Sequence, residues 1–348
     1  MRRHSARNST IFFLAVLLGS SLCYTAVTER SYHVYGDPEY SRKARALLAQ
    51  RSRYPDRPLV VVLGSSRVAY GVDPQVWEAA GDSIGRRPMM LNMAMVGSGP
   101  IMQRLALQRI LALNVRIDAV LIEYWPPFLR EDGPYHEAAR LDPARLSSMD
   151  EAVIRDHFPD PAATFDRLRQ GRHNPWATHG ETVLNRTFPR LLPTNRRTDG
   201  HWGKIDAWGH LPGRSTVSAA EMAAARQSNS AYYTGLFDGY EVGLVADAAL
   251  RATIADCRSR RIAVGFVYLP EAEFFRARMP ETTRKKVEHY ERHVGSTFGV
   301  SWIDGRDWIG DDQLPDGFHL LSAGAGAFTM KLGSHLETVL DEREVTSR

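Results

Sequence analysis

Five short apolar runs, separated by stretches of helical periodicity, constrain the fold more than any other feature of the chain. They are Leu59–Leu63 (LVVVL), Met89–Met95, Ala119–Glu123 (AVLIE), Ile262–Leu269 (IAVGFVYL) and Val300–Ile303 (VSWI). Each is continuous rather than alternating, the pattern of a strand buried on both faces. Between them, Pro100–Leu113 is dense in Leu and Ile, and Pro100 suits the first helical position. Residues 241–260 place Val245, Ala248, Ala249 and Ala252 on one helical face. The last helix puts Phe328, Leu332, Leu336 and Val339 on one stripe, with Ser322 expected as its N-cap. Strands alternating with helices predict a three-layer α/β/α domain around a parallel sheet.

One interval breaks the rhythm. Residues 129–240, between the third and fourth runs, are Pro- and Arg-rich and weakly periodic. They hold one clear helix start, where Ser218 and Glu221 have capping-box spacing. So long an interval reads as an insertion or cap over one end of the sheet rather than a bare loop.

Ahead of the first strand, Arg2, Arg3 and Arg7 precede an uncharged apolar run, Ile11–Val27. That order predicts a signal anchor or signal peptide over residues 1–30, with the arginines cytoplasmic and the rest of the chain extracytoplasmic. If the segment is cleaved, the protein is secreted. Residues 31–57, polar and rich in Arg and Tyr, read as a juxtamembrane helix and linker. The main domain is then 58–348.

The net charge is only +4, and no basic run alternates with aromatics, so nucleic-acid binding has little support. Cys23 lies in the apolar run and Cys257 is alone in the rest, which leaves no internal disulfide framework. His201 and His210 flank a Gly/Trp-rich segment, HWGKIDAWGH; with no third ligand at sensible spacing they read as a polar hairpin, and no metal is expected.

Three segments carry chemistry. LGSSRVAYG, residues 63–71, follows the first strand directly. A serine on that turn lies where open α/β sheets bind ligands, close to backbone N–H groups that can hold an oxyanion. DGFHLLSAGA, residues 316–325, puts Asp316 and His319 three apart on a turn entering the last helix. That spacing can set a carboxylate against one imidazole nitrogen and leave the other for a serine. NMAMVGSGP, residues 92–100, follows the second strand, and its Gly97 and Gly99 let backbone approach a ligand.

Together the serine turn, Asn92-x-x-x-x-Gly97 and Asp316-x-x-His319 resemble the SGNH/GDSL hydrolase superfamily over residues 59–128 and 262–340. The resemblance implies a flavodoxin-like sheet of order 2-1-3-4-5. It implies Ser66 as nucleophile, with Ser65 in the place of the family's usual aspartate. His319 is the implied base, Asp316 its orienting acid, and the Ser66 and Gly97 N–H groups the oxyanion donors. The Gly64-Ser65-Ser66-Arg67 variant is similar to divergent extracytoplasmic branches that help O-acetylate alginate or D-alanylate teichoic acids, often beside a membrane-bound O-acyltransferase. The implied activity is an esterase or O-acyltransferase acting on acyl esters of glycans or lipids, without a cofactor. One block departs from the pattern: where the family has Gly-x-Asn-Asp, this chain reads EYWPPFL, and Pro127 near the Asn position has no donor. That departure leaves a non-catalytic binding or assembly factor as the alternative.

Other residues stay open at this level. Ser65 is the alternative nucleophile. Arg67, Asn92 and Trp125 are candidate substrate contacts, Arg67 equally a salt bridge that holds the turn. Trp176, Trp202 and Trp208, with Trp125, are candidates for a sugar-stacking platform. Arg167, Arg169, Arg172, Arg186, Arg190, Arg196 and Arg197 give the insertion a basic bias.

Overall fold

In the computed structural model, residues 2–81, 87–130, 137, 145–158, 160–163, 165–166, 175–194, 197 and 201–345 are described. The chain divides into two compact units, residues 43–141 with 204–348, and residues 1–42 with 142–203.

The larger unit is built on five parallel strands: β1 (Leu59–Leu63), β2 (Met89–Asn92), β3 (Ala119–Glu123), β4 (Ala263–Tyr268) and β5 (Ser301–Asp304). Their order is β2-β1-β3-β4-β5, as the resemblance implies, with helices on both faces in a flavodoxin-like arrangement. Every residue of β1 to β4 is buried, which is why those runs are apolar without alternation. Met89–Met95 leaves regular strand after Asn92, but the Met93 and Met95 N–H groups still bond to the Val62 and Gly64 carbonyls. The loop beyond β2 therefore runs beside the loop beyond β1.

Sequence and structure differ in three helices. Residues 244–259 form the expected helix, but Ala246, Ala249, Leu250, Thr253, Ile254 and Cys257 are its buried residues, whereas Ala248 is exposed. The last helix is two, Ser322–Gly333 and Leu336–Val345, and Phe328, Leu332, Leu336 and Val339 are fully buried across the break. Leu321, not Ser322, is the N-cap, and the Ser322 hydroxyl instead bonds to the Gly213 carbonyl at 3.3 Å. Pro100 opens the helix Pro100–Leu111, and the Ser218–Glu221 capping box opens Ala219–Tyr232, both as expected.

The stretch 31–57 contains the expected helix, and part of it is buried. It holds a 16-residue helix, Pro38–Arg53, whose Ala44 and Leu47 are fully buried. The stretch 129–240 is not a single insertion: residues from 204 onward belong to the sheet-bearing unit. There, residues 205–211 cover the sheet edge at β2. Asn92 N–H bonds to the Trp208 carbonyl at 3.0 Å, and Leu211 N–H to the Ala69 carbonyl. Gly209 (φ +81) passes so close that a Cβ there would lie 2.1 Å from the Asn92 carbonyl oxygen.

In the smaller unit, Arg2–Arg30 is one helix, and its Ala6–Arg30 portion is long and apolar enough to cross a membrane. Tyr24 on that helix stacks on Trp176, ring centres 4.0 Å apart. Arg145 pairs with Asp37 and Glu39.

Candidate active site

The nucleophile turn is shaped by what surrounds Gly64. A Cβ at Gly64 would lie 2.4 Å from Val68 and 2.7 Å from the Glu123 carboxylate, so only glycine lets β1 close on β3 there. Ser65 N–H donates to Glu123 Oε2 at 2.5 Å. Ser65 then caps the helix Ser66–Gly71, its Oγ accepting from Arg67 N–H. The two serines differ in setting: Ser65 is buried as a cap, whereas Ser66 is partly exposed at the first helical position. Asn92 closes the other end of the helix, its Nδ2 donating to the Val68 and Val72 carbonyls at 2.8 Å each.

The imidazole beside Ser66 comes from 253 residues further along the chain. Ser66 Oγ lies 2.8 Å from His319 Nε2, and His319 Nδ1 lies 2.6 Å from Asp316 Oδ2. A carboxylate only accepts, so Nδ1 carries the proton and Nε2 presents its lone pair to the Ser66 hydroxyl. The turn is built for this. Gly317 (φ +103) reverses the chain, and Asp316 Oδ1 accepts from both the Phe318 and the His319 N–H groups. Burial pushes the Asp316 carboxyl up, but the hydrogen bonds and charge of His319 outweigh it and hold it below the usual carboxylate range.

Gly97 (φ +81) follows the loop that Met95 ties to Gly64. A side chain there would meet nothing within 4 Å. Among the described residues no protein acceptor takes the Ser66 or Gly97 N–H. Both N–H groups are thus without a protein acceptor among the described residues, as a donor to an oxyanion must be.

The three residues offered as substrate contacts are elsewhere. Arg67 is 1% exposed, its Nη2 3.1 Å from Glu271 and its Nη1 3.5 Å from Glu123. The guanidinium also donates to the Leu269 carbonyl and lies under the Trp125 ring. Trp125 is buried and donates to Glu271 at 2.8 Å. Asn92 is fully buried, with Oδ1 accepting from Lys43. These enclosed side chains hold the nucleophile turn from behind and present nothing to a substrate. Burial pushes the Glu123 carboxyl up, against the pull of Arg67 and the Ser65 N–H.

Four residues that shape the site have no role assigned from the sequence. Glu123 and Glu271 flank Arg67. Asn229 donates to the Asp316 carbonyl at 3.0 Å. Tyr70 meets the His319 ring edge-on at 5.7 Å. Only Glu123 left a sequence signal, as the charged end of an otherwise apolar strand. Of the tryptophans named for a sugar platform, Trp125 and Trp208 are buried, and Trp176 and Trp202 belong to the smaller unit. Of the basic residues, Arg186, Arg190 and Arg197 are also in that unit, and Arg167, Arg169, Arg172 and Arg196 lie outside the described residues.

No protein-family model matches the chain, and no curated protein matches it significantly. The functional reading therefore stands on the geometry and the motifs.

Proposed function

We propose that the chain is a serine acyl hydrolase or acyltransferase of the SGNH type, using Ser66, His319 and Asp316. The observation that carries this is the continuous line from Ser66 Oγ through the His319 imidazole to Asp316, at 2.8 and 2.6 Å. A serine hydroxyl is a weak nucleophile until such a base takes its proton. In the reaction, His319 Nε2 removes the Ser66 proton as Oγ attacks the ester carbonyl carbon. The Ser66 and Gly97 N–H groups hold the oxyanion. His319 then protonates the departing alcohol as the carbon–oxygen bond breaks, which leaves an acyl-Ser66. Water or a sugar hydroxyl, deprotonated in turn by His319, takes the acyl group and restores the serine.

The substrate class, an acyl ester of an envelope glycan or lipid, rests on the likeness of Gly64-Ser65-Ser66-Arg67 to extracytoplasmic branches of that superfamily. A membrane-bound O-acyltransferase is the partner that likeness suggests. The apolar helix supports an extracytoplasmic placement, with Arg2, Arg3 and Arg7 retained inside. A second reading, a non-catalytic binding or assembly factor, is favoured by Pro127. It lies buried in the short turn Pro126–Leu129, without an N–H or polar side chain to replace the third oxyanion donor. In an active enzyme, that loss lowers turnover by roughly 10²–10³.

Fluorophosphonate labelling of the full chain in detergent separates the two. Labelling of wild type that disappears in Ser66→Ala and His319→Ala supports the enzyme. A folded wild type that takes no label rejects it in favour of the binding factor.

A further inference from the structure

Three side chains outside the triad converge on one point of the larger unit. His210 Nδ1 lies 3.6 Å from Asp73 Oδ1 and 3.8 Å from Asp206 Oδ2, and one ligand atom from each residue falls within 4.8 Å of the others. His210 is nearly enclosed, its side chain 4% exposed. Its Nε2 lies 3.2 Å from the Tyr70 carbonyl, which only accepts, so Nε2 carries the hydrogen. The other ring nitrogen, Nδ1, then faces the two carboxylates. The separations exceed hydrogen-bond length, so Nδ1 makes no hydrogen bond to either. They are close to the roughly 3.4 Å edge of a tetrahedron whose metal–ligand bonds are about 2.1 Å.

Each group is also held from outside the cluster, as ligands of a metal usually are. The Tyr70 carbonyl orients the imidazole. Asp73 caps the helix Pro74–Ala79, its Oδ1 accepting from Gln75 N–H at 3.1 Å, and its own N–H donates to the Oγ1 of fully buried Thr329 at 2.7 Å. Asp206 Oδ1 accepts from the Trp208 and His210 N–H groups, which leaves Oδ2 for the cluster.

We infer that Asp73, Asp206 and His210 form a binding site for a zinc-class divalent metal ion. Two carboxylates offset the charge, and the imidazole selects a borderline transition metal over calcium or magnesium. The two carboxylates are about one-fifth exposed, so water reaches the fourth position. His201, the sequence neighbour first considered with His210, belongs to the smaller unit and takes no part. The ion joins the segment that covers β2 to the start of the helix Pro74–Ala79, just beyond the nucleophile helix. The site is independent of whether Ser66 is catalytic.

The test uses the full chain in detergent, without a polyhistidine tag, stripped with a chelator and titrated with Zn²⁺ or Ca²⁺. Wild type is expected to retain one Zn²⁺ per chain by mass spectrometry of the metal, to melt at a higher temperature with Zn²⁺, and to prefer it to Ca²⁺. His210→Ala and Asp73→Asn are expected to bind Zn²⁺ at least about 100-fold more weakly and to show no shift in melting. Asn at position 73 keeps the helix cap, so that variant decides the matter even if His210→Ala does not fold. A wild type that retains no Zn²⁺ or prefers Ca²⁺, or an Asp73→Asn protein that binds Zn²⁺ as wild type does, overturns the assignment.

Discussion

Asp316 uses its two oxygens differently: Oδ1 closes the turn through the Phe318 and His319 N–H groups, and Oδ2 holds the imidazole. An amide separates the two roles. In Asp316→Asn, Oδ1 still accepts the backbone bonds, but Nδ2 donates to Nδ1 and moves the ring proton to Nε2, facing Ser66. The expected result is a folded protein whose turnover with a chromogenic ester falls by about 10⁴. Because the Asp316 carboxyl is held below its ordinary value, the stability it adds is fully present above about pH 3.9 and is lost as pH falls through its folded value. Parallel denaturant melts of wild type and Asp316→Asn should therefore converge on going from pH 5 to pH 2. At this scale the triad was legible, because a strand end and an Asp-Gly-x-His turn are local patterns. Asn92 and Trp125 were misread as substrate contacts, and Arg67 was left between that role and a salt bridge, because their partners, Glu271 and Lys43 among them, are remote in sequence.

The elements that position Ser66 are fastened by buried charge. Arg67 is fixed between Glu123 at the end of β3 and Glu271 beyond β4. Arg67→Met leaves two carboxylates buried without their cation, and a loss of about 3–5 kcal/mol in denaturant unfolding is expected. Adding Glu123→Gln and Glu271→Gln should restore part of it. The helix Ala219–Tyr232 buries none of its own residues, yet its Asn229 braces the Asp316 carbonyl. Asn229→Ala should lower kcat by about 10- to 100-fold with little change in KM, a loss of placement rather than of binding. The strands were readable because burial on both faces writes itself as an unbroken apolar run. The helix face at 244–259 was read wrongly because alanines fit either side; Leu250 and Ile254 mark the buried one.

At the scale of the whole molecule, the chain joins a membrane-length helix to a sheet domain. If that helix is an uncleaved anchor, the full chain stays with membranes through an alkaline carbonate wash and keeps its N-terminal residues by terminal sequencing. Appearance in the soluble fraction, starting near residue 30, identifies a cleaved signal. The division at 42, 142 and 203 was invisible in the sequence, since it depends on contacts between segments far apart along the chain. Only the apolar onset near Ile11 gave local notice. The separation of 253 residues between Ser66 and His319 has a consequence for biosynthesis. The serine leaves the ribosome well before the histidine that lies beside it in the fold. On the proposed mechanism, a nascent chain that lacks residue 319 carries no activated serine, so reactivity begins only once the turn beyond β5 has folded against the end of β1.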